Sequence, residues 1–271
     1  MKVWLNGTIL DTEQATIPAS DRGFTLGDGL FETIKALGGH ALRLEAHWAR
    51  LEQGARLLRL PLPLDRAGLE NAITQVLVAN SLDDAALRLT ISRGPGQRGL
   101  LPPQPCTPTV LLSAGPLPPA LGPARVVIAR EVRRNAHSPL ARIKALSYLD
   151  NILARLEAQE RGADDALLLN TEGRLAESTI ANLFVVLADG TIVTPPVAEG
   201  ALPGVRRATL LTELGAEERP LPPEALDNAR EAFLSNALSI RPLVAVDGRP
   251  IADGMPGGLT RRLLDGFDTS A

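Results

Sequence analysis

The chain has 271 residues, 45% of them hydrophobic and 22% charged, with a formal net charge of -3 at pH 7. That length allows one large domain or two modest ones with a substantial core, and the small negative charge gives no electrostatic reason to expect nucleic acid or an acidic membrane as partner. The lone Cys106 excludes an internal disulfide and a thiolate metal cage, and His40, His47 and His137 are too scattered for a metal site.

The amino terminus, MKVWLNGTIL, has neither a long apolar core nor a cleavage site. No later run approaches the roughly 18 apolar residues of a membrane span, so a cytoplasmic protein is expected. The stretch VWLNGTIL reads as a strand pair turned at Asn6-Gly7. A loop follows, then DRGFTLGDGLFETIKAL, in which Gly23, Gly27 and Gly29 punctuate an apolar segment leading into a strand. Such glycines can cradle a phosphate, but no helix is expected behind them and a tight turn is the simpler reading. GGHALRL reads as a hairpin. Over 45–60, Trp48, Leu51, Ala55 and Leu58 are spaced for one helix face, and a second helix is expected over about 65–80.

The string Gly94-Pro95-Gly96-Gln97-Arg98-Gly99 satisfies G-x-G-x-x-G after a strand. A dinucleotide site needs a helix to begin there, whereas this loop runs into Pro102 and Pro103. The loop instead offers Arg93 and Arg98 as carboxylate readers, or is simply a basic exposed loop. After the strand TVLLSAG comes PLPPALGP, the most proline-rich stretch. It reads as a linker over 115–123 between two α/β domains, 1–114 and 124–271. Beyond Phe184 an Asp189-Gly190 turn joins two strands, a helix opens near Pro203-Gly204, and GGLTRRLLDGF reads as a closing helix.

Two residues stand in unusual settings. Only three of the 28 basic residues are lysines, Lys2, Lys35 and Lys144, so a lysine is worth questioning. Lys144 lies among Ile143, Ala145 and Leu146 at the junction of a short strand and a helix. A lysine partly desolvated, or beside another cation, becomes a usable amine nucleophile able to form a Schiff base with an aldehyde; the plainer alternative is a snorkelling side chain. Glu177 stands between Ala176 and a β-prone run, with Ser178, Thr179 and Asn182 nearby. A carboxylate there needs a partner to offset its desolvation, either in a cap or turn or from the protonated ring nitrogen of pyridoxal phosphate.

Together, a lysine before S-Y-L-D-N and then E-G-R-L-A-E-S-T-I-A-N-L-F some thirty residues on resemble the class IV aminotransferases, pyridoxal phosphate enzymes of fold type IV. The resemblance runs from about Trp4 to Gly248. It implies a two-domain α/β (α+β) fold of the D-amino acid aminotransferase-like kind, pyridoxal 5'-phosphate as cofactor, a small-molecule amino substrate, a homodimer, and an active site between the domains and near a subunit interface. By the same resemblance Lys144 holds the cofactor and then acts as general acid and base, Glu177 keeps the ring nitrogen protonated, and Tyr148 contacts the cofactor. Arg50, in H-W-A-R-L, matches the phosphate arginine; Val205 and Arg206 at a helix start and Asn236 and Ala237 in a turn match its backbone phosphate contacts. Arg98 matches a substrate-carboxylate arginine of the D-amino acid enzymes, whose histidine two residues later is Leu100 here.

The family contains both transaminases and aminodeoxychorismate lyase. Thr33, the R-G-L loop and the S-N-A-L turn are closer to the lyase, which forms p-aminobenzoate and pyruvate. That reaction is the expectation from the motif wording. The alternative is a class IV transaminase moving an amino group between an amino acid, D-alanine-type or branched-chain, or an amine, and a 2-keto acid.

Overall fold

The computed structural model describes residues 1–266. The chain groups into two compact units, one of Met1–Pro118 with Ile143–Ser147 and one of Pro119–Arg142 with Tyr148 onward. The segment carrying Lys144 is thus counted with the first unit, although it lies beyond the proline-rich stretch.

The first unit is an antiparallel six-stranded sheet with two helices on one face. Its strands are β1 (Lys2–Leu5), β2 (Thr8–Asp11), β3 (Gly29–Leu37), β4 (His40–Ala41), β5 (Ala85–Ser92) and β6 (Thr109–Gly115), in the order β2-β1-β6-β5-β3-β4. The β1–β2 turn has positive φ at Asn6 and Gly7, as the Asn-Gly pair requires. Helices α2 (Leu44–Leu58) and α3 (Arg66–Asn80) bury Trp48, Leu51, Ala55, Leu69, Ile73 and Val76 against Leu30, Ile34, Ala36, Leu87 and Leu89 of the sheet. Each of the buried leucine, isoleucine and valine side chains contributes roughly 1.5–3 kcal/mol. Where the sequence suggested only a turn, a short helix α1 (Arg22–Leu26) forms, its first turn capped by the Asp21 carboxylate accepting from the Gly23 N–H at 2.7 Å. Five residues interrupted by glycine are too few for a hydrophobic period to reveal.

The second unit is built on nine strands. They are β7 (Ala124–Arg134), β8 (Asp165–Asn170), β9 (Leu175–Ser178), β10 (Asn182–Val186), β11 (Ile192–Thr194), β12 (Glu217–Glu218), β13 (Glu231–Ser235), β14 (Ile240–Val246) and β15 (Arg249–Pro250). The main path is β12-β11-β10-β13-β14-β7-β8-β9, and β9 also pairs with β10, so six strands close on themselves. The unbroken apolar run of β8 follows from this closure. Leu167 and Leu169 point into the enclosed core with Leu183 and Leu234, while Ala166 and Leu168 pack outward against Ala154 and Ala158 of α4 (Leu149–Glu160). On another outer face, Phe184 and Phe233 stack at 5.0 Å and pack beside Leu210 of α5 (Val205–Leu214) and Leu259 and Leu263 of α6 (Gly258–Gly266). Phe267, the last residue of the expected closing helix, lies outside the described residues.

Candidate active site

In the first unit the lysine segment is held by main-chain bonds to the start of β3. The Phe31 N–H donates to the Lys144 carbonyl at 2.9 Å, the Leu146 N–H donates to the Gly29 carbonyl at 3.0 Å, and Leu30 and Ala145 form an antiparallel bridge. Glycine permits this closeness. A Cβ on Gly29 would lie 2.3 Å from the Ile91 carbonyl oxygen and 2.7 Å from Leu146 Cδ1. Lys144 is half-buried, and its Nζ lies 4.2 Å from the centroid of the Phe31 ring, which also has the Arg88 guanidinium carbon at 4.1 Å. The lysine amine therefore stands against an aromatic ring that the Arg88 guanidinium also contacts. Thr33 is two residues beyond Phe31 on the same strand face and is paired with Arg88 of β5.

The opposite face of β3 carries Glu32, 1% exposed, which accepts from Arg50 Nε at 2.8 Å and Arg50 Nη2 at 2.5 Å. His47 Nδ1 lies 2.7 Å from the same carboxylate. Sequence reading singled out Arg50 but passed over Glu32 and His47. The signal was available, because Glu32 falls on the apolar parity of β3 set by Leu30, Ile34 and Ala36.

Of the two loop arginines, Arg98 is exposed, whereas Arg93 is committed to the scaffold. Arg93 donates from Nε to Asp28 at 2.8 Å and from its other nitrogens to the Arg59 and Leu58 carbonyls. Arg22 meets the same Asp28 oxygen at 2.8 Å and latches the loop by donating to the carbonyls of Gly99 and Leu100, the two residues that follow Arg98. Burial pushes the Asp28 carboxyl up, but hydrogen bonds and charge from Arg93 and Arg22 outweigh it and hold the group below the usual carboxylate range. A depressed carboxyl stabilises the fold fully above its unfolded pKa, and that contribution is lost as pH falls through the folded one. Asp28→Asn is therefore expected to lower the unfolding midpoint at pH 7 and to flatten the loss of stability below about pH 4 that the parent protein shows in acid thermal melts.

In the second unit Glu177 sits where the sheet closes, opposite Leu168 of β8 and Asn182 of β10. Buried to 6% exposure, it is held at 3.1 Å by Arg134 Nη2, at 2.9 Å by the Leu202 N–H and at 3.4 Å by Asn182 Nδ2. Arg134 also donates to the Gly200 and Ala141 carbonyls, at 3.1 and 3.3 Å. It was not anticipated from sequence, since a basic residue at a strand end reads as solvated surface. Asn182 Nδ2 also donates to the Leu202 carbonyl, and a Cβ on Gly204 would meet Asn182 Oδ1 at 2.1 Å. The carboxylate and the start of α5 are thereby tied together. Val205 and Arg206 open that helix, both buried, and its N-cap Gly204 offers no side-chain acceptor to the first N–H groups.

The turn after β13 lies across from Asn182. Asn236 Oδ1 accepts from the Leu238 and Ser239 N–H groups, and the Asn236 N–H donates to the Ser239 carbonyl, so of the two backbone donors expected here that of Asn236 is spent within the turn. Ser235 Oγ, paired across the strands with Asn182, is buried without a hydrogen-bond partner among the described residues. Tyr148 is half-buried at the N-cap of α4, its carbonyl accepting from the Ile152 N–H. In the first unit an amine against an aromatic ring, and in the second a buried carboxylate backed by a guanidinium, an uncapped helix start and an orphaned hydroxyl near it, are each of a chemistry that fits pyridoxal phosphate.

The two units together have the mixed α/β make-up of a two-domain enzyme of fold type IV. The comparisons place it more closely: the chain belongs to the amino-transferase class IV family, whose model matches residues 29–246, and with that family it is a pyridoxal phosphate enzyme of fold type IV. It is 36% identical to the "Putative branched-chain-amino-acid aminotransferase" of Methanocaldococcus jannaschii, covering 98% of this chain and 95% of that one. Among solved structures it resembles the branched-chain amino acid aminotransferase of Escherichia coli, with a TM-score of 0.91 and 28% identity over 99% of this chain and 94% of that one. It also resembles the "Putative 4-amino-4-deoxychorismate lyase" of Legionella pneumophila, with a TM-score of 0.87 and 27% identity over 96% of this chain and 97% of that one.

Proposed function

We propose that the protein is a class IV transaminase that moves an amino group from a branched-chain amino acid to a 2-keto acid. The observation carrying this reading is the similarity to the Methanocaldococcus jannaschii relative over almost the whole of both chains. The lyase reading drawn from Thr33, R-G-L and S-N-A-L rests on short wording, and it has less support than the transaminase reading.

When bound, pyridoxal phosphate supplies an electron sink that makes the substrate's α-proton removable. The protein's own residues do the rest. Lys144 holds the cofactor by its amine and, once released, takes the proton from the substrate carbon and returns it on the other side of the exchange. Phe31 beneath Nζ keeps that amine out of bulk water. Glu177, paired with Arg134, can hold a proton on a ring nitrogen. Arg50, the α5 start at Val205 and Arg206, and the Ala237 backbone bind the phosphate, while Tyr148 orders the cofactor. Arg98 and Thr33 face the substrate carboxylate and side chain.

The chain also acts as a homodimer in this reading. The outer face of α4 exposes Leu149, Ile152, Leu153 and Leu156, an apolar stripe at helical spacing that a second copy would cover. Sedimentation is expected to give twice the 28.7 kDa chain mass, and a monomer at working concentration would remove this part of the proposal.

The activity is tested by supplying the holoenzyme with L-leucine, L-valine or D-alanine and 2-oxoglutarate, and separately with aminodeoxychorismate. Keto acid from the L-branched-chain substrates is the expected result. Keto acid from D-alanine alone would reassign the substrate, and pyruvate from aminodeoxychorismate alone would make the protein the lyase.

A further inference from the structure

Strand β3 presents Phe31 and Thr33 on one face, and on the other it buries a charge. Glu32 shares its parity with Leu30, Ile34 and Ala36, so its carboxylate points under α2 into the core of the first unit. Burying a lone carboxylate there is costly, and replacing a buried ion pair by apolar residues of similar volume is often no loss to stability. A retained charge at such a position therefore calls for an explanation besides stability.

The partners supply one. His47 and Arg50 are three residues apart on α2 and both reach the carboxylate, which lies 2.7 Å from His47 Nδ1. Arg50 docks edge-on, with Nε on one oxygen at 2.8 Å and Nη2 on the other at 2.5 Å. Burial works against the charged form of Glu32, yet the charge of Arg50 and the hydrogen bonds from His47 and Arg50 outweigh it, and the carboxyl stays below the usual range. Two parallel bonds fix a long side chain that otherwise has much rotamer freedom to lose. An arginine already fixed loses less of that freedom when it meets an anion.

We propose that Glu32, backed by His47, is the positioning residue that aims Arg50 at the cofactor phosphate. It takes the Nε and Nη2 edge of the guanidinium, which fixes the plane and direction of the group. The proposal rests on the reading of Arg50 as the phosphate ligand.

The test uses the full-length protein freed of cofactor, as parent and as Glu32→Gln, His47→Gln and Arg50→Ala. Each is titrated with pyridoxal 5'-phosphate, with inorganic phosphate followed by thermal shift, and with pyridoxal, which has no phosphate. Glu32→Gln is expected to weaken both phosphate ligands by about 10- to 100-fold, toward the level of Arg50→Ala, with pyridoxal bound as in the parent. His47→Gln should fall in the same direction by less, and it carries the test alone if Glu32→Gln does not fold. Parent-like phosphate affinity in Glu32→Gln and His47→Gln, with Arg50→Ala weakened, overturns the positioning role alone. Equal weakening of pyridoxal also overturns it, since that marks a general structural effect. Parent-like phosphate affinity in Arg50→Ala overturns the phosphate reading itself.

Discussion

Replacing Lys144 by alanine is expected to lower kcat about 10⁴-fold, the upper end of what a positioned acid-base group contributes, with little change in thermal stability. The stability half follows from how the segment is held. The bonds from the Phe31 N–H to the Lys144 carbonyl and from the Leu146 N–H to the Gly29 carbonyl are main-chain bonds that alanine keeps. The side chain itself is only half-buried, so no packed volume is emptied. Lys144→Arg separates amine chemistry from charge. A guanidinium keeps the positive charge above Phe31 but does not deprotonate, so this variant should be as inactive as the alanine one. Turnover within tenfold of the parent in either variant would remove Lys144 from the chemistry.

Arg134→Leu has the second large expected effect, a loss of about 3 kcal/mol in unfolding free energy measured by urea titration. The change leaves Glu177 buried with its guanidinium partner gone, and it also removes the donors to Gly200 and Ala141. Removing one partner of a buried pair costs more than removing both, because the desolvated charge stays behind. Arg134→Leu combined with Glu177→Gln should therefore recover part of the loss, with a coupling of about 0.5–3 kcal/mol. A loss under about 1 kcal/mol, or strict additivity, would show that the carboxylate does not depend on Arg134.

The candidate chemical residues stood out in the sequence where a residue conflicted with its own neighbourhood. Lys144 conflicted with a chain whose basic surface is arginine, and Glu177 with a β-prone run. The hairpin at Asn6-Gly7 and the helices over 44–58 and 66–80 were legible because turn chemistry and the 3.6-residue period are local. What escaped depends on pairing between residues far apart in the chain. Arg134 gains its meaning from Glu177, more than forty positions on, and Glu32 from His47 and Arg50 on the next helix. The grouping of Ile143–Ser147 with the first unit depends on the absence of a side chain at Gly29, and no composition shift marks it. The G-x-G-x-x-G string was rightly discounted: no helix follows, and Arg22 ties its last glycine's carbonyl to the scaffold.

The central claim is that Lys144 is the amine that binds pyridoxal phosphate, and the three-lysine composition makes it directly measurable. The protein is loaded with the cofactor, the covalent link is fixed by borohydride reduction, and the peptides are mapped by mass. The account predicts the pyridoxyl group on the peptide carrying Lys144, at one equivalent per chain. Its appearance on Lys2 or Lys35 with Lys144 unmodified, or on no lysine, would contradict the account.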